Sequence, residues 1–168
     1  PDVPLELKTA GLKLRNTDYY SFYVKKEPRL TLSTIHNNEI IDEEFENSSF
    51  FKKNNNLLIV FWLHDELNIN QHPIDKEILA TFEYQLEGRD YEIIKKDWEH
   101  IRNRIRGCEA HNLRNRETLS LESCGGEGKA NFYRDYSNND KNCQLPAKKK
   151  RFAYTKEFWN KMIDSAVN

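Results

Sequence analysis

The chain has 168 residues, 38% hydrophobic and 32% charged, enough for one domain with a sizeable core and short for two. Its longest apolar run, residues 57–63, is far too short to cross a bilayer, so no membrane protein is expected. The net charge of −1 hides a polarity: residues 1–94 carry 10 Lys and Arg against 17 Asp and Glu, while residues 95–168 carry 16 against 10, so a polyanion is expected on the second part.

In chain order, Leu5 and Leu7, then Leu12 and Leu14, alternate with polar residues and predict two short strands around a turn at Thr9-Ala10-Gly11. Phe22 and Val24, then Leu30 and Leu32, repeat the period of two, and all these strands are expected in one mixed sheet. Residues 40–53 read as helical in their first half, with Asn47-Ser48-Ser49 as a breaker or cap. Asn54-Asn55-Asn56 marks a turn before the central strand at 57–63, and residues 78–86 alternate again.

The clearest helix spans residues 90–107, with Asp90 as N-cap, Gly107 as stop, and Ile94, Trp98, Ile101 and Ile105 as a core-facing stripe. Trp98 is therefore expected to pack rather than to act. Residues 123–142 are rich in Gly, Asn and Ser and predict a long loop or irregular hairpin. A final helix is expected from Tyr154 onward, after the basic run Lys148-Lys149-Lys150-Arg151.

Three cysteines, Cys108, Cys124 and Cys143, fit no disulfide framework and read as buried or idle thiols in a reducing cytosol. Cys108 and His111 form a C-x2-H pair, but zinc would need a closely spaced fourth ligand that is missing.

The opening stretch PDVPLELK carries the chemistry. Side chains two apart on a strand share a face, so Glu6 and Lys8 would stand together with Leu5 and Leu7 packed behind them. With Asp2 in the lead-in, two carboxylates supply hard oxygen ligands for Mg²⁺. The lysine can orient or help deprotonate an attacking water and offset charge on phosphate oxygens. By itself the motif is weak, because Glu-x-Lys is expected by chance about once in a chain of this size. A second copy, Glu127-Gly128-Lys129, lies in the Gly-rich stretch without apolar flanks. A charged strand edge would read the same way.

Further stretches change the balance. LELKTAGLK, FENSSFFKKNNNLLIVFW, DYEIIKKDWEHI, EAHNL, CGGEGKAN and AKKKRFAYTK resemble, in that order and over nearly the whole chain, the Sau3AI-type restriction endonucleases and their mismatch-repair relative MutH. The resemblance implies a PD-(D/E)xK nuclease fold of the α/β (α+β) class: a mixed central sheet flanked by helices, with two lobes around a DNA cleft. The chain would be a single domain, 1–94 its acidic catalytic half and 95–168 its basic recognition half. Asp2, Glu6 and Lys8 would be catalytic, Asp2 and Glu6 holding Mg²⁺, with Lys53 (or its neighbour Lys52) as a further active-site lysine. DNA contacts would fall on Lys129 and Arg134 in the loop, and on Lys148, Lys149, Arg151, Tyr154 and Lys156 near the last helix. The chain departs from the family pattern twice: Asp2 stands closer to Glu6, and Lys129 is one residue nearer to Asn131.

The implied activity is Mg²⁺-dependent cleavage of double-stranded DNA by a cytoplasmic type II restriction enzyme recognising GATC. It would act as a monomer or homodimer, with a cognate DNA methyltransferase in the same system. A non-catalytic DNA-binding lobe and a MutH-type repair nicking enzyme remain the alternatives.

Overall fold

A computed structural model describes residues 5–16, 21–25, 29–64, 72, 75–125, 132–133 and 147–167. Strands β1 (Glu6–Asn16), β2 (Ser21–Lys25), β4 (Asn56–Leu63) and β5 (Ile78–Gln85) form a four-stranded sheet in the order β2-β1-β4-β5. The central pair, β1 and β4, is parallel and both flanking pairs are antiparallel, so the sheet is mixed. Strands β3 (Leu30–Thr34), β6 (Leu121–Gly125) and β9 (Lys150–Tyr154) form a second sheet in the order β3-β9-β6. β7 (Phe132–Tyr133) and β8 (Ala147–Lys148) pair separately. The expected single sheet is thus corrected to several, because β3 leaves its sequence neighbour β2 to pair with β9.

The helices are α1 (Asn37–Ile40), α2 (Ser49–Asn54), α3 (Gly88–Arg106) and α4 (Lys156–Val167). Together with the sheets they give the α+β arrangement expected from the sequence, a mixed central sheet flanked by helices. No helix among the described residues is long and apolar enough to cross a membrane.

The chain between 94 and 95 runs inside α3, and β3 of the acidic part pairs with β9 of the basic part. The two charge halves are therefore not structural halves. One apolar cluster joins them, with Leu57, Ile59 and Phe61 of β4, Ile94, Trp98 and Ile101 of α3, and Phe152, Phe158 and Trp159 nearer the C-terminus. Each such side chain stabilises the fold by about 1.5–3 kcal/mol on burial. The α3 stripe is buried as its spacing predicts, Trp98 included.

Several local expectations are overturned by packing. β1 runs unbroken through Thr9-Ala10-Gly11. Gly11 is there for a close approach rather than a turn, since a Cβ on it would lie 2.9 Å from Cζ2 of Trp62. The helix of residues 40–53 lies in the second half: Phe45–Asn47 is a 3-10 turn, and Ser48 caps α2 by accepting from the Phe51 N–H at 3.0 Å. Helix α3 begins earlier than expected, with Glu87 at its N-cap. Asp90 instead accepts from the Tyr84 hydroxyl at 3.2 Å and pairs with Lys161. Cys108 is disulfide-bonded, unlike the idle thiol expected there, and Cys124 is a buried free thiol whose pKa burial raises.

Candidate active site

Leu57 of β4 lies opposite Glu6 of β1, Ile59 opposite Lys8 and Phe61 opposite Ala10. Partners in register share a face, so Glu6 and Lys8 stand on the side that carries the buried β4 residues. Leu5 and Leu7 face the other way and are 53% and 59% exposed. The expectation that these leucines pack behind the charged pair is corrected. The charged pair is on the inner side, and the leucines are outside.

Helix α2 delivers a third group. Only Asn54 and Asn55 separate Lys53, in its last turn, from the start of β4, whose Leu57 lies beside Glu6. This short junction brings the Lys53 ammonium to 3.8 Å from Glu6 Oε1, which also accepts from Lys8 Nζ at 3.0 Å. Lys52 is exposed and makes no ion pair with Glu6. Asn54, wholly buried, fixes the junction by donating Nδ2 to Phe50 O at 2.8 Å and to Ser33 Oγ of β3 at 3.2 Å. Lys8 reaches the same strand, with Nζ 3.5 Å from Leu32 O.

One carboxylate between two ammonium groups leaves a local charge of plus one, which complements a phosphodiester. Both lysines converge on Oε1, so Oε2 is the hard oxygen a divalent ion could take. Among the described residues no group of three or more His, Cys, Asp and Glu side chains could hold a metal. An all-protein cage is therefore not formed by them. The donor set fits Mg²⁺, which binds through one or two carboxylates and keeps several waters. Asp2, the second expected ligand, lies outside the described residues.

Lys8 also lines a cleft of about 270 Å³ between β1 and β3, together with Arg29, Thr31 and Trp62. The sequence pattern does not single out Arg29. It stands directly before the alternating Leu30 and Leu32 and reads as the lead-in to a strand.

The expected DNA contacts are dispersed. Lys129 and Arg134 lie outside the described residues. Lys148 ends β8 and Lys149 links it to β9, both exposed, while Lys150 and Arg151 open β9. Arg151, part-buried, lies in β9 opposite Thr34 and Cys124, and Lys156 is exposed at the start of α4. Tyr154 is the one that fails. It ends β9 with 0% exposure, its ring 4.7 Å from that of Phe158 and 6.2 Å from that of Tyr84. Packing between β5 and α4 makes Tyr154 a core residue, so the expectation of a DNA contact there is corrected. Burial drives its hydroxyl pKa well above the usual tyrosine range.

Two comparisons bear on this arrangement. The family model described as "DNA mismatch repair enzyme MutH" matches residues 1–97, the segment holding Glu6, Lys8 and Lys53. The type II restriction enzyme Sau3AI of Staphylococcus aureus is 30% identical over 166 residues, which is 96% of this chain. The chain spans about a third of the length of that relative, 33%. A family match over more than half of the 168 residues, on a mixed sheet that gathers Glu6, Lys8 and Lys53, makes this chain a member of the MutH family of Sau3AI/MutH-type endonucleases.

Proposed function

We propose that this domain is a Mg²⁺-dependent, sequence-specific endonuclease of double-stranded DNA, a type II restriction enzyme with GATC as its recognition sequence. The observation that carries the proposal is the convergence of Lys8 and Lys53 on one oxygen of Glu6 from separate elements. A charged strand edge accounts for a neighbouring Glu and Lys, but not for a second ammonium brought in by a helix. The likeness to Sau3AI supports restriction over repair nicking. The working partner is DNA in the cytoplasm, bound by a monomer or homodimer, with a cognate DNA methyltransferase in the same system.

Glu6, joined by Asp2, would hold the ion. When bound, Mg²⁺ supplies Lewis-acid stabilisation of charge on the phosphate and lowers the pKa of a coordinated water. The protein's own groups do the positioning. Lys8 and Lys53 place two ammonium donors beside the carboxylate, where they offset negative charge as it grows on the non-bridging oxygens of the scissile phosphate. Lys8 is the more enclosed, its side chain 14% exposed, so less water screens it. The lysine–glutamate contacts also hold Glu6 in one orientation before DNA arrives.

The test is cleavage of a GATC-containing plasmid with Mg²⁺, comparing wild type, Glu6→Ala and Lys8→Ala. Each substitution is expected to lower the rate by about 10²-fold or more. Cleavage that survives both would remove these residues from the chemistry, and wild-type binding without cutting would leave a DNA-binding lobe only.

A further inference from the structure

Arg29, directly before β3, is held by a buried carboxylate. Its Nε donates to Oε1 of Glu122, which is 1% exposed in β6. The other carboxylate oxygen accepts from the backbone N–H of Arg116 at 2.7 Å. Arg116 adopts a left-handed conformation, φ 65°, an uncommon backbone state for a residue with a side chain. Glu122 is thus anchored at both oxygens and fixes Arg29 in turn. An arginine carries four more N–H donors on its terminal nitrogens.

Among the described residues that line it, the cleft that Arg29 and Lys8 share has two cations and no acid. The β1–β2 ladder covers only Leu12–Asn16, so among the described residues Lys8–Gly11 pairs with β4 on one side and meets the cleft with an open strand edge on the other. Backbone N–H groups are common partners of DNA phosphates. At about 270 Å³ the cleft falls below the volumes, upward of about 300 Å³, that enclose a whole small-molecule ligand. It suits one phosphate and its sugar from a chain that continues outside.

From this we infer that Arg29 binds the backbone phosphate next to the scissile one, making the β1–β3 cleft a second phosphate subsite. Lys8 joins the two positions, because it lines the cleft and contacts Glu6. The inference rests on the DNA-cleaving function proposed above. Arg29 acts on binding and register, and the phosphodiester chemistry stays with Glu6, Lys8 and Lys53.

Because removing Arg29 alone would strand the buried Glu122 carboxylate, the informative pair is Glu122→Gln and the double variant Arg29→Gln/Glu122→Gln. Affinity for a fluorescent GATC duplex and for a scrambled duplex is measured in EDTA across a salt series. Glu122→Gln is expected to keep the wild-type slope of log K against log[salt]. The double variant should lower its magnitude by about one and weaken both duplexes alike. A double variant that unfolds cooperatively on heating yet keeps the Glu122→Gln slope overturns the inference. Arg29→Lys retains a cation against Glu122 and should raise KM for cleavage with little change in kcat; an unchanged KM also overturns it. Either result with wild-type cleavage intact removes the subsite alone, whereas a wild type that neither binds nor cuts DNA removes the proposed function with it.

Discussion

Lys52 and Lys53 are adjacent in sequence, yet only Lys53 pairs with Glu6. Successive helix residues point in directions about 100° apart, so a helix that ends above β1 can aim one of them at the carboxylate and the other into water. Lys53→Ala is therefore expected to slow plasmid cleavage by about 10²-fold, with Lys52→Ala near wild type. Equal effects in initial-rate assays would mean that the 3.8 Å pair has no catalytic consequence. Tyr154 gives the opposite lesson. Its buried hydroxyl has no hydrogen-bond partner among the described residues, and an unsatisfied buried polar group costs about 1–3 kcal/mol. Tyr154→Phe should leave stability to urea unchanged or raised, and DNA affinity intact. Weakened binding by the phenylalanine variant would restore the DNA contact that the sequence resemblance implied.

Helix α3 depends on more than its apolar stripe. Its buried Asp97 accepts from the backbone N–H groups of Ser120 and Leu121 at 2.7 and 2.9 Å, joining the helix to the start of β6. Asp97→Ala strands both donors and is expected to cost about 2 kcal/mol or more in urea denaturation, with Asp97→Asn recovering part through its remaining amide oxygen. A loss below about 0.5 kcal/mol would show that water replaces the carboxylate there. The far side of α3 is held by Lys95, whose Nζ lies 2.5 Å from Glu46 Oε1. That contact, helped by the Tyr91 hydroxyl, holds the Glu46 carboxyl down at about 2. At the end of the chain, Thr155 caps α4 by accepting from the Phe158 N–H and donates to Leu119 O at 2.8 Å. This cap explains why the last helix starts at Lys156 and leaves Tyr154 in β9.

For the molecule as a whole, the carboxylate proposed to hold Mg²⁺ and the core are separate. Glu6 already has Lys8 and Lys53 beside it, and the apolar cluster involves neither lysine. Adding EDTA should abolish cleavage while leaving the thermal midpoint and duplex binding unchanged. A large fall in the midpoint would mean that the ion holds the fold together as well. The candidate site draws on distant parts of the chain, since β1 carries the Glu-x-Lys pair, α2 carries Lys53, and β3 accepts from both Lys8 and Asn54.

Much of this could be read from residue order. The Glu-x-Lys pair on a strand, the Ile94, Trp98, Ile101 and Ile105 stripe, and the central strand at 57–63 follow from periods of two and 3.6, which bind neighbours to a common face before any tertiary contact forms. Periodicity names the residues that share a face but not what lies opposite it. The inward side of β1, the choice of Lys53 over Lys52, the burial of Tyr154 and the placing of Arg29 beside Lys8 each depended on pairings between segments far apart in the chain. A strand register shifted by one residue would have turned Glu6 and Lys8 outward with the same sequence, and only the packing of β1 against β4 rules that out.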